Sequence, residues 1–106
     1  MKLTADIIIA REKLTNYLLQ WRTVSDKSRY LAKAGYTSEN WETLQQDIIE
    51  QILPHDAEWQ EEDEYGVFYV INGTLVGPNG KSLFVKTIWI KEHFTQKTRF
   101  VTLFPQ

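Results

Sequence analysis

The sequence predicts an α+β domain in which about three N-terminal helices pack on a three- to four-stranded antiparallel sheet. Apolar residues recur with helical period as far as Pro54, and from Glu58 onward β-branched and aromatic residues broken by glycine take over. Gly77-Pro78-Asn79-Gly80 then punctuates the second half as a turn, with proline presetting φ and glycine tolerating positive φ.

Each element has a local reason. Leu14, Tyr17, Leu18 and Trp21 recur at helical spacing and predict a helix over 11–21. Ser25 is placed to cap a second helix over 26–35, with Tyr30, Leu31 and Ala34 inward and Gly35 where a left-handed C-terminal cap belongs. Thr37 is placed to cap a third helix over 38–53, whose early acids Glu39 and Glu42 suit the positive end of the helix dipole. Its apolar stripe is Trp41, Leu44, Ile48, Ile49 and Ile52, and Pro54 stops it. Strands follow over 66–76, 81–91 and 98–104, and the acidic segment Glu58 to Glu64 can add an edge strand whose like charges discourage sheet-to-sheet association. Asn72-Gly73 reads as a turn or bulge within the first of these strands. The expected core includes Leu18, Trp41, Ile48, Val70, Ile88 and Val101.

At 106 residues the chain is one domain, 1–106, large enough to bury a core without staples. It has no cysteine, which excludes disulfides, thiol catalysis and thiolate metal sites. Apolar runs such as Ile7-Ile8-Ile9-Ala10 are too short to span a bilayer, so a cytoplasmic protein without a membrane partner is expected. Charge is sharply partitioned. Between Lys33 and Lys81 there are ten acids and no lysine or arginine, while the remainder sets twelve bases against four acids, about −10 against +8. A basic surface of that kind can attract RNA, and the acidic 37–64 segment can dock a basic protein. Nothing in the pattern sets an oligomeric state.

No standard catalytic motif is present, and neither a cofactor nor a metal is written into the residues. His55 and His93 stand singly near element ends, and the acids Glu58, Glu61, Glu62, Asp63 and Glu64 lack calcium-loop spacing. The informative residues are basic or hydroxylic ones set in apolar rows. Lys27 projects along the stripe of Tyr30 and Leu31, either covering aromatic surface with its stem or serving a site. Lys86 alternates with Phe84, Ile88 and Ile90. Strict alternation puts Arg99 on one face with Val101 and Leu103, and Thr102 on the other between Phe100 and Phe104.

Two resemblances add to this. The segments Lys13-Leu14-Thr15-Asn16-Tyr17-Leu18-Leu19, Lys27-Ser28-Arg29-Tyr30 with Gly35-Tyr36, Glu39-Asn40-Trp41, Tyr65-Gly66, Gly77-Pro78-Asn79-Gly80, Val85-Lys86-Thr87-Ile88-Trp89 and Arg99 to Pro105 together resemble an uncharacterised family of small bacterial domains. That likeness covers nearly the whole chain and implies no activity. More faintly, helices followed by a small antiparallel sheet look like the barnase, EndoU, colicin and RelE class of ribonuclease toxins. This likeness implies metal-independent RNA cleavage, with Lys13, Lys27, Arg29, Lys86, Arg99 and Thr102 as the positions carrying it. The chain departs from that class at Phe104, where a tyrosine would be expected.

Two functions follow as expectations. One is an RNA-directed, ribonuclease-like domain, active or inactive, and the other is a non-catalytic interaction module such as an immunity or accessory protein. The motifs leave open whether the protein is an enzyme.

Overall fold

The change from helical to strand patterning near Pro54 translates into mixed α and β structure. The computed structural model describes residues 1–3, 6–19 and 27–106, without the side chains of Asn16 and Tyr17. A short strand β1 (Ile7–Ile8) comes first, and helix α1 (Arg11–Lys13) runs into a widened, π-type turn over Leu14–Leu18. Helix α2 (Lys27–Ala32) follows, then a 3₁₀ turn (Ser38–Asn40) leading into α3 (Trp41–Asp47), which again widens over Ile48–Ile52. Strands β2 (Glu58–Glu62), β3 (Gly66–Val76), β4 (Ser82–Glu92) and β5 (Thr98–Pro105) complete the chain. No helix among the described residues is long and apolar enough to cross a membrane.

The sheet order is β1-β5-β4-β3-β2. The expected strands 66–76, 81–91 and 98–104 are present as β3, β4 and β5 in consecutive antiparallel pairing, and the acidic segment does form the edge strand β2. The sheet nevertheless has five strands and is mixed, because β1 pairs parallel with β5 through Ile7↔Thr98 and Ile8↔Arg99. A two-residue strand is too short to show an alternation, and its pairing partner lies at the other end of the chain. For the same reason the helices are not all N-terminal to the strands.

The helices cover one face of the sheet. Thr37 opens the third helical segment as expected, its backbone N–H donating to Asn40 Oδ1 at 2.7 Å. Gly35 has the left-handed conformation, φ 92°, that ends the second. Leu44, Ile48 and Ile52 are fully buried, but Ile49 is exposed, contrary to the expected stripe. The widened turn, closed by Leu53 N donating to Ile48 O at 3.0 Å, displaces the side chains beyond Ile48 from ideal α spacing. Helix α2 is shorter than the expected 26–35, whereas Ser25, Trp21 and the end of the first helix lie outside the described residues.

On the covered face the strands contribute Leu75, Ile71, Val85, Thr87, Trp89, Phe100 and Leu103, all buried. Asn72-Gly73 is neither turn nor bulge, since β3 pairs regularly through Asn72↔Lys86 and Gly73↔Val85. A Cβ on Gly73 would stand 2.8 Å from Ile52 Cδ1 of the overlying helical segment, so a larger residue would require that terminal methyl to move. Trp41 is only partly buried, with the Arg11 guanidinium 5.1 Å from its ring centre.

One irregularity reorganises the other face. On β4 and β5 the register runs Ile88↔Thr102 and then Trp89↔Phe100, leaving Val101 as an extra residue in a β-bulge. The bulge breaks the alternation assumed from sequence. Phe100 joins Leu103 on the covered face, Arg99 turns to the opposite face with Thr102, and Val101 stays partly exposed instead of entering the core.

Candidate functional site

The face of the sheet opposite the helices is built in rows fixed by the strand register. Phe104, Lys86 and Asn72 form one row, and Thr102, Ile88, Val70 and Glu58 form the next. Arg99, Ile90, Phe68 and Glu61 form a third. Phe84 and Thr74 lie beyond the first row, where Gln106 is held by its backbone N–H donating to Phe84 O at 3.0 Å. The middle of this face is apolar, with Val70 and Ile88 buried, while the β5 side is basic and hydroxylic and the β2 edge is acidic.

Helix α2 lies against β5 and sends Lys27 onto this face. Lys27 Nζ donates to Thr102 Oγ1 at 2.9 Å and lies 4.2 Å from the Phe104 ring centre. The ammonium of Lys27 thus sits over both a hydroxyl and a π-face. Lys86, directly across the strand pair from Phe104, is half-buried and makes no ion pair among the described residues. Arg99 shares the face but is engaged, its Nε donating to Glu92 Oε1 at 2.9 Å. The hydrogen bond from Thr95, and after it Arg99, hold the Glu92 carboxyl below the usual carboxylate range.

Of the six residues singled out, Lys27, Lys86, Arg99 and Thr102 therefore share one face. Arg29 lies around the edge of α2, where it lines a 350 Å³ depression with Tyr30, Lys33 and Pro105. Lys13 sits on α1 as an exposed side chain, and no row of the open face includes it. Sequence reasoning did not single out Phe84, Phe104, Asn72, Thr74 or Gln106 as site residues, although it set Phe84 in the row of Lys86 and Phe104 in that of Thr102. Phe84 is 61% exposed and Phe104 42%, unusual exposure for large aromatics in a regular sheet. The alternation Phe84, Lys86, Ile88 carried the signal for the first of these.

A second depression, of 460 Å³, is lined by Asn72, Gly73, Thr74, Phe84 and Gln106. The side chains of Asn72, Thr74 and Gln106 make no hydrogen bond within the protein among the described residues. Tyr30 joins the two depressions, its hydroxyl donating to Phe84 O at 2.7 Å.

The histidines stand elsewhere. His55 lies near Gly73 on the helix-covered side, and His93 Nε2 is 3.2 Å from Glu62 Oε2 near the β2 edge. The acids of the third helical segment, Glu42 and Glu50, are exposed on an element that packs against the covered face, away from Lys27 and Lys86. Glu58 and Glu61 break that separation, since they share the open face with the bases. Among the described residues no three or more carboxylate or imidazole groups gather as a metal cage would require.

What this arrangement offers chemically is cationic hydrogen-bond donors beside exposed π-faces on a rigid sheet. No curated protein and no solved structure matches the chain, so the likeness to ribonuclease toxins gains no support. A family model does match, over residues 2–106, in agreement with the segments that resemble a family of small domains, and the chain belongs to the domain of unknown function DUF6883.

Proposed function

We propose that the open sheet face binds single-stranded RNA. The observation that carries this reading is the juxtaposition of Lys27, Lys86 and Thr102 with the exposed rings of Phe84 and Phe104 on the sheet face opposite the third helical segment. Backbone phosphates are attracted by ammonium groups, and bases stack on aromatic faces whatever their identity, so basic and aromatic residues interleaved on a sheet suit an unpaired strand. The acids of the third helical segment lie behind the sheet, where they do not oppose a polyanion across the face.

Cleavage, the further step implied by the toxin likeness, has weaker support. A 2′-OH needs a proton acceptor within reach. Thr102 already accepts from Lys27, and neither histidine stands on this face. The reading is therefore of an RNA-binding domain that does not cut.

The test is incubation of the purified protein with a mixed single-stranded RNA pool at low salt. Retention of intact RNA is expected, and absence of retention would overturn the reading.

A second reading is a module that docks a basic protein through the acidic 37–64 segment. Its support is Trp59, 64% exposed on the outermost strand, where the register gives it the same face as Glu62. An aromatic anchor among carboxylates suits a cationic partner. Should RNA not be retained, Trp59→Ala in a pull-down with basic proteins is the next measurement.

A further inference from the structure

We infer that the 460 Å³ depression bordered by Phe84 holds a single base of the bound strand and reads its edge, favouring adenine. This rests on the RNA reading above and assigns that surface a specificity. The floor is backbone, because Gly73 stands on β3 between Asn72 and Thr74. One wall is the Phe84 ring, 61% exposed and therefore open to stacking by a planar group. The polar groups are two carboxamides, Asn72 and Gln106, and one hydroxyl, Thr74, and none is satisfied within the protein among the described residues.

A side-chain carboxamide presents one donor and one acceptor side by side, the complement of adenine N7 and its exocyclic amine. Adenine offers that pairing on both its Watson–Crick and Hoogsteen edges and a wider ring to stack on Phe84, whereas a pyrimidine offers it on its Watson–Crick edge alone. Lys86 adjoins Asn72 across the β3–β4 pair, so a cation stands beside the groove for the phosphate on one side.

The second depression completes the path. Arg29 and Lys33, one helical turn apart on α2 and its continuation, border it with Tyr30 and Pro105. Tyr30 touches the Phe84 carbonyl, and Pro105 precedes Gln106, so the two depressions flank a common ridge. A strand crossing that ridge would leave a base against Phe84 and carry its next phosphate to the basic pocket of α2.

The experiment is fluorescence anisotropy with short labelled homopolymers of adenylate, uridylate and cytidylate at low salt. Wild type is expected to bind the adenylate oligomer about tenfold more tightly than either pyrimidine. Asn72→Ala should collapse that preference while leaving the salt dependence intact, and Thr74→Val, also on the exposed rim, should narrow it. Lys27→Met should weaken all three oligomers alike and preserve their ranking. Equal wild-type affinities, a pyrimidine bound most tightly, or a ranking that survives both Asn72→Ala and Thr74→Val would overturn the inference and leave RNA binding standing. Failure of every oligomer to bind would remove both.

Discussion

Lys27 Nζ donates to Thr102 Oγ1 at 2.9 Å across 75 residues of chain, and this hydrogen bond ties α2 to the sheet face opposite the third helical segment. The ammonium also lies 4.2 Å from the Phe104 ring centre. Replacing Lys27 by Met keeps most of the apolar stem and removes the hydrogen bond to Thr102 and the ammonium over Phe104. On the RNA-binding account, Lys27→Met lowers RNA affinity several-fold at low salt while shifting the unfolding free energy by about 1 kcal/mol or less, the usual scale of a partly exposed charged interaction. Chemical denaturation and RNA titration on the same preparation check the two effects separately.

A buried polar relay makes a second prediction. Trp89 Nε1 donates to Thr87 Oγ1 at 2.8 Å, and that hydroxyl donates onward to Ile71 O at 2.8 Å, with both side chains fully buried. Thr87→Val keeps the shape and orphans the indole N–H. Urea unfolding should show a loss of about 1–3 kcal/mol. Thr87→Ser, which retains the hydroxyl, should recover part of that loss.

How much of this is legible in the sequence depends on the range over which each signal acts. The Thr37 start, the Gly35 stop and the Gly77-Pro78-Asn79-Gly80 turn are local signals, and each lies where the residues place it. β1 is invisible because Ile7 and Ile8 are too few to show a period and pair with residues at the far end of the chain. Arg99 falls on the face opposite to the one its alternation predicts because Val101 forms a bulge, and nothing in Arg99-Phe100-Val101-Thr102 announces an extra residue. That one residue decides whether Arg99 and Thr102 share a surface. Ile49 departs from its stripe for the same kind of reason, a widened helical turn shifting the spacing after Ile48. Lys27, Lys86 and Thr102 are recognisable as polar residues in apolar rows, but their convergence is a matter of tertiary structure.

Gly77 makes a third prediction. A Cβ there would overlap the Ala34 carbonyl oxygen, where the end of the second helical segment closes on the β3–β4 turn. Both sides are backbone, so neither can yield by a side-chain rotation. Gly77→Ala should destabilise the fold by about 1–3 kcal/mol, the usual cost of overpacking. Gly80→Ala, in the same turn with φ 84°, meets no neighbouring atom and should show only the conformational cost of left-handed backbone, about 1–2 kcal/mol.

Tyr36 gives a pH dependence. Its hydroxyl donates to Asp47 Oδ2 at 2.6 Å, and burial, followed by that carboxylate, pushes its ionisation well above the ordinary value of 10.0. A raised folded-state value means the contribution is fully present below about pH 10 and is lost as pH rises beyond it, because the unfolded chain releases the proton first. Stability should therefore decline in the alkaline range above about pH 10. Tyr36→Phe should flatten that component of the decline, as read by thermal melts between neutral and alkaline pH.

Salt dependence of RNA binding tests the central claim most directly. The measurement is the affinity for one single-stranded RNA across a range of salt concentrations, for wild type and for the Lys27→Met, Lys86→Met double variant. Removing one phosphate-neutralising ammonium should reduce the slope of log affinity against log salt by about 0.7. The account predicts tight binding at low salt, a steep wild-type slope, and a double-variant slope shallower by about 1.4. Equal slopes for the two proteins, or no binding by the wild type at low salt, would contradict it.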